Sequence, residues 1–355
     1  MADALRIPPS ALLPGPFRTT ARRRDSLGTA PTVIPAVEAA MMRYNGIASL
    51  VGVPDREPVA PEHLRTRIER AYRYTMMSRL SDKAPLIPGM IADSWHLKHL
   101  AEGEEQKREA AGLQALVYRT TSSLLDQMGE PHLAWIAAER SMRAAEESGD
   151  PLLIANGAWP LSIILRHTGR LTESTDAPIA AADALRSRLD SPQSHSMYGA
   201  LMLRGAIGAA TLSDHRAVRD YLDEASRVAE RTGDRNDFWL AFGPTNIAIH
   251  RVWLALELGD PTAAIKLADG VPYDSLPEVL SGRKTSHLIT IAWAHYLRRH
   301  DREALDALNA ARAFAPEQLL YTGRVHSMLR GMLRRERRSV KGDLRRLADF
   351  VGVAA

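Results

Sequence analysis

The sequence predicts an all-α chain, a right-handed α-solenoid built from helical hairpins, and three observations carry that expectation. Alanine, leucine and arginine dominate while aromatics are only 6% of residues, a composition that favours helix by intrinsic propensity and leaves little for a β-sandwich to pack. Tight turns recur at Gly129-Glu130-Pro131, Gly169-Arg170-Leu171, Ser213-Asp214-His215, Gly259-Asp260-Pro261 and His300-Asp301-Arg302, spaced 40, 44, 46 and 41 residues apart with an amphipathic pattern on either side. Longer breaks separate the pairs at Gly149-Asp150-Pro151, Asp190-Ser191-Pro192, 232–237 and 272–277. Such a stack, in which each repeat touches only its neighbours, also explains how 355 residues exceed the ~250 to 300 that one core supports.

The elements follow in order. Residues 14–35 mix proline, glycine, threonine and the basic run Arg18–Arg24, and read as a linker. A helical front section spans 36–108. A short pattern over 33–50 is broken at 52–61, and Pro61 then opens a helix with Leu64, Ile68 and Ala71 on one face. Two further helical segments cover 86–100 and 104–128. Five hairpin repeats occupy 109–315. The last stretch, 316–355, holds nine Arg or Lys between Arg324 and Arg346 against Glu336 and Asp343. Apolar stripes there, at Val325, Met328, Leu329, Met332 and Leu333 and at Leu344, Leu347 and Val351, predict a capping pair of helices with a polar outer face.

Within the repeats, GPTNIAIHRVWLALELGDPTAAIKLADGV (243–271) resembles the first helix, the Gly-Asp turn and the second helix of a tetratricopeptide repeat, with LGDPTAAIKLA its clearest part. The small residue such a repeat carries midway along its first helix falls at Ser122, Ser162, Ala206, Val252 and Trp293, so the last two units are expected to pack irregularly. The period exceeds the ~34 residues of the standard repeat, which assigns the extra residues to the loops between hairpins.

Composition excludes several functions. Cysteine is absent, which removes disulfides, thiolate nucleophiles and cysteine-bound metals and points to a reducing, cytoplasmic setting. No stretch approaches the ~20 apolar residues of a membrane span, and no membrane partner is expected. The net charge of +4 and a pI near 9.4 permit acidic partners without requiring them. No phosphate-binding glycine loop, Ser-His-Asp order or paired-acid arrangement is legible, so no catalytic residues, no cofactor and no enzymatic activity are assigned. The one metal-like spacing, His96 and His99 with Glu102, is interrupted by Lys98 and reads as a solvated helix end rather than a metal site.

The likeness to tetratricopeptide repeats implies that the first helices line a concave groove. Superposing the repeats on their turns identifies the residues that line it. Thirteen positions before each turn lie Leu116, Asn156, Ala200, Asn246 and His287; nine before lie Thr120, Pro160, Arg204, His250 and Ile291; Arg119 and Trp159 stand ten before and Trp253 six before. The binding set is therefore Arg119, Asn156, Trp159, Arg204, Asn246, His250, Trp253 and His287, polar and aromatic chemistry suited to a peptide backbone or a carboxylate. Trp159 and Trp253 serve equally well as core residues. Pro160 removes a backbone donor and is expected to kink its helix.

A second resemblance narrows the biology. The stretches SLLDQMGEPHLAWIAAERSMRAAEESGDPLL (123–153), SMYGALMLRGA (196–206) and GDRNDFWLAFGPTNIAIHRVWLALELGDP (233–261) are similar to the C-terminal sensor region of actinobacterial XRE (Cro/repressor-like) transcriptional regulators, in which a helix-turn-helix domain precedes the repeats. ADALRIPPSALLPGP resembles the exit of that domain, making residues 1–13 its remnant without the recognition helix. The resemblance implies a peptide, small-molecule or protein ligand in the groove, DNA contact only where a helix-turn-helix is supplied, and compatibility with a homodimer. A stand-alone protein-docking scaffold is the competing expectation.

Overall fold

The computed structural model describes residues 30–42 and 59–354. The remnant expected at 1–13, and the linker up to residue 29, lie outside the described residues. Helix α1 (Ala30–Met42) begins inside the stretch expected to be linker. Then come α2 (Pro61–Met76), α3 (Leu80–Lys83), α4 (Ile87–Leu100), α5 (Glu104–Gln127), α6 (Pro131–Ser148), α7 (Pro151–His167), α8 (Leu171–Leu185) and α9 (Pro192–Thr211). The remainder is α10 (His215–Thr232), α11 (Pro244–Glu257), α12 (Pro261–Ala268), α13 (Ser281–Leu297), α14 (Asp301–Phe314), α15 (Pro316–Tyr321), α16 (Gly323–Leu333) and α17 (Lys341–Val351). No strand occurs among the described residues. The expected all-α architecture of tetratricopeptide-like hairpins packed in consecutive pairs holds, with pairs α5/α6, α7/α8, α9/α10, α11/α12 and α13/α14.

Local chemistry sets these boundaries. Proline stands at the first position of α6, α7, α9, α11, α12 and α15, where its missing N–H would have had no intrahelical acceptor. Side chains cap the orphan donors behind it: Asp150 accepts from Leu152 N at 2.8 Å, Ser191 and Ser194 cap α9 reciprocally, Asp214 accepts from Ala217 N at 3.0 Å and Asp260 from Ala263 N at 2.8 Å.

All five hairpin turns share one backbone motif. Glu130 N donates to Leu125 O, Arg170 N to Leu165 O, Asp214 N to Ala209 O, Asp260 N to Ala255 O and His300 N to His295 O, all at 2.8–3.0 Å. The residue before each donor is left-handed: Gly129, Gly169, Ser213, Gly259 and Arg299, with φ of 81, 84, 58, 92 and 60°. The fifth turn is thus centred on Arg299 and not, as the spacing suggested, on His300. Moving the register back by one puts Ala292 in the small-residue position in place of Trp293, and both Val252 and Ala292 are fully buried. The irregular packing expected of the last unit is overturned.

The contacts divide the chain into two compact units. The first comprises the described residues up to 75 together with 79–164. Its core holds Leu64, Ile68, Tyr72, Tyr118, Leu124 and Leu125. Trp95 Nε1 donates to Tyr118 Oη at 2.8 Å, Tyr72 Oη to Leu116 O at 3.1 Å, and Arg140 ties α6 to Met41 O of α1 at 2.6 Å.

The second unit comprises 76–78 and 165–354, so the boundary falls within α7. Here the first helices α9, α11 and α13 pack side by side, each also packed against its own partner helix. Val325, Met328, Leu329, Met332, Leu344, Leu347 and Val351 join Leu305 and Leu308 in one cluster, the predicted capping stripes, with Leu333 half-buried at its margin. The basic tail is largely paired: Arg335 with Asp301 at 2.5 Å, Arg324 with buried Glu257 at 3.7 Å, Arg345 with Glu336 at 2.7 Å and Arg346 with Asp343 at 2.5 Å.

Candidate functional site

The predicted residues fall in both units. In the first, Arg119 is not on an open face. Its guanidinium lies 5.2 Å from the Tyr72 ring centroid, and its charge bears on Lys83, whose ammonium is buried without a hydrogen-bond partner and held well below the ordinary lysine pKa by desolvation and then by Arg119. Asn156 is buried with its side-chain oxygen unpaired, Trp159 is half-buried, and α7 runs as one helix through Pro160.

In the second unit, Arg204 of α9 and Asn246 and His250 of α11 are buried, at 6, 3 and 8% exposure, where groove positions were expected to be open. The reason is geometric. Neighbouring first helices pack side by side, so a residue on the inner stripe of one is walled by the next. Asn246 and His250 are one helical turn apart, and His250 Nδ1 donates to Asn246 O at 2.8 Å. That bond fixes the tautomer and leaves Nε2 as an acceptor. The ring is held neutral, its pKa pushed down to about 3, by desolvation first and then by the guanidinium of Arg283, with Arg204 adding a smaller effect in the same direction. The Asn246 side-chain oxygen is buried with no partner.

His287 departs from the expected row. With the fifth turn centred on Arg299, Ser286 and Thr290 occupy the positions equivalent to Asn246 and His250, and His287 moves to the packed side of α13. There it is fully buried, 5.3 Å from Tyr273 between ring centroids, with neither ring nitrogen hydrogen-bonded and its pKa lowered to about 4 by burial. Trp253 is half-buried against Ala206, Ala210 and Val218, and is a packing residue. Ser286 accepts from Gln318 Nε2 at 2.7 Å.

Arg283 was missed. It lies in the first turn of α13, half-buried, its pKa lowered to about 10 by desolvation with no carboxylate acting on it. One signal was legible: Arg283 and Lys284 sit where the helix dipole disfavours cations. Among the described residues no three His, Asp or Glu side chains converge on a metal-sized site, and Lys98 pairs with Glu147 beside His96 and His99.

No helix of the described residues is long and apolar enough to cross a membrane. No family model matches the chain, and no curated protein sequence does. Among solved structures, the crystal structure of a Rap protein complexed with competence and sporulation factor is similar at a TM-score of 0.51 and 10% identity, covering 82% of this chain and 88% of that one. At that identity the likeness extends to the fold, an all-α array of helical hairpins.

Proposed function

We propose that this chain is the ligand-sensing, non-catalytic part of a bacterial transcriptional regulator of the XRE type, and that the first helices of its hairpins bind a peptide. The observation that carries the peptide reading is Asn246: a buried side-chain amide with an unpaired oxygen on the inner stripe of a tetratricopeptide-like helix. An unsatisfied buried amide costs folding free energy, and a peptide backbone, which presents a donor and an acceptor at each residue, relieves it. The Rap protein of similar fold, solved with competence and sporulation factor, supports the reading, and the sequence resemblance supports the regulator setting.

Because Asn246 and His250 are buried, alanine at both positions is expected to lower the melting temperature, and cannot separate binding from stability. Asn246→Leu can. Replacing an unpaired polar group by an apolar one of similar size is neutral or stabilising in the free protein. The expected outcome is a melting temperature equal to or above the parent's, together with loss of retention of peptides from a random heptapeptide pool measured by equilibrium dialysis. A variant that melts several degrees lower, or that retains the same peptides, refutes the assignment.

A further inference from the structure

The three inward cationic or imidazole groups of the second unit lack the carboxylate that their counterparts nearby possess. Arg324 and Arg335, also desolvated or half-buried, each face an acid, Glu257 and Asp301. Around His250 the acting charges are two guanidiniums, Arg204 from α9 and Arg283 from α13, and no carboxylate; around Arg283 there is none either. Desolvated cations gathered without an anion are costly, so such a cluster is retained where an anion completes it.

The geometry favours a planar anion. Arg204 and His250 hold the same register, nine residues before their turns, on adjacent helices, and Arg283 enters from the next helix at its N-terminal turn, where free N–H groups and the dipole add positive potential. Arginine forks present paired donors matched to a carboxylate. The unpaired Asn246 oxygen lies one turn from His250, ready for the amide N–H that precedes a peptide's carboxylate.

We propose that Arg204, His250 and Arg283 form a carboxylate-receiving site that anchors the charged end or an acidic side chain of the peptide ligand. This inference rests on the peptide-binding reading and names the chemistry the peptide must carry.

The test uses the full chain and one random heptapeptide pool made both as free acids and as C-terminal amides, with retention after equilibrium dialysis read by mass spectrometry. Free acids are expected to be retained about tenfold over their amides if the terminal carboxylate is bound. Retention of amides confined to sequences with Asp or Glu assigns the side chain instead. Either preference should fall to about one in Arg283→Gln, with Arg283→Lys, which keeps charge but loses the fork, standing in if the first variant does not fold. Equal retention of acids and amides with no acidic enrichment overturns the carboxylate site and leaves peptide binding intact. If the parent retains no peptide, the peptide reading fails and glutarate decides the anion site. A saturable rise in melting temperature at constant ionic strength, absent in Arg283→Gln, supports it, and no rise removes it.

Discussion

At the residue scale, two turns use a residue that the left-handed conformation disfavours. Ser213 at φ 58° and Arg299 at φ 60° stand where Gly129, Gly169 and Gly259 serve in the other hairpins. Side-chain crowding there costs about 1 kcal/mol. Arg299→Gly should therefore raise stability by about 0.5–1 kcal/mol in urea unfolding, since the exposed arginine makes no contact that offsets the strain. A lower midpoint would mean the turn is not strained. Histidine burial has its own signature. His250 and His287 titrate near 3 and 4 when folded, against about 6.5 unfolded. Between pH 6.5 and 4 the unfolded chain takes up protons that the folded chain refuses. Stability is fully present above that window and falls with acid, by up to about 1.4 kcal/mol per pH unit for each histidine. Urea midpoints from pH 7 to 4.5 should show this, and His287→Leu should flatten the slope.

At the element scale, the connection from α10 to α11 has the most unusual backbone in the chain. Phe238, Trp239 and Ala241 are all left-handed at φ 50, 58 and 51°, each costing of order 1 kcal/mol or more. Compensation comes from anchoring. Phe242 is buried where Gly199 of α9 has no side chain, a methyl there would overlap its ring, and Asp234 holds Thr245 by both N at 3.1 Å and Oγ1 at 2.6 Å. Gly199→Ala should expel Phe242 and cost about 1–3 kcal/mol, with a change in near-ultraviolet circular dichroism while far-ultraviolet helicity stays intact. Loss of helicity would show that the glycine matters for α9 itself rather than for the loop it receives.

At the scale of the whole molecule, the basic excess is weaker as a nucleic-acid surface than its residue count suggests. Arg302 shares Asp343 with Arg346, and Arg345 shares Glu336 with Lys341, so much of the tail's charge is neutralised within the fold. The described residues hold no recognition helix placed as a reader. Duplex DNA should bind this chain weakly and without sequence preference, with affinity falling steeply from 50 to 200 mM salt. Mobility-shift titrations against a matched scrambled duplex check this. Tight, salt-resistant binding to one sequence would locate a reader the described residues do not contain.

The sequence alone determined the helical class, the hairpin boundaries and four of the five turn centres. These are local properties, written in proline at helix starts, in Asp and Ser caps and in glycine at left-handed positions. The fifth centre slipped by one because arginine at φ 60° carries no compositional mark, and that slip moved His287 into the groove row and Trp293 into the small-residue row. Periodicity also named Arg204, Asn246 and His250 as one inward stripe. Only the tertiary structure decided that the stripe is buried, since burial depends on how closely α9, α11 and α13 approach. It alone brought Arg283 to His250, because two side chains 33 positions apart become neighbours through packing between hairpins, an interaction no local pattern encodes.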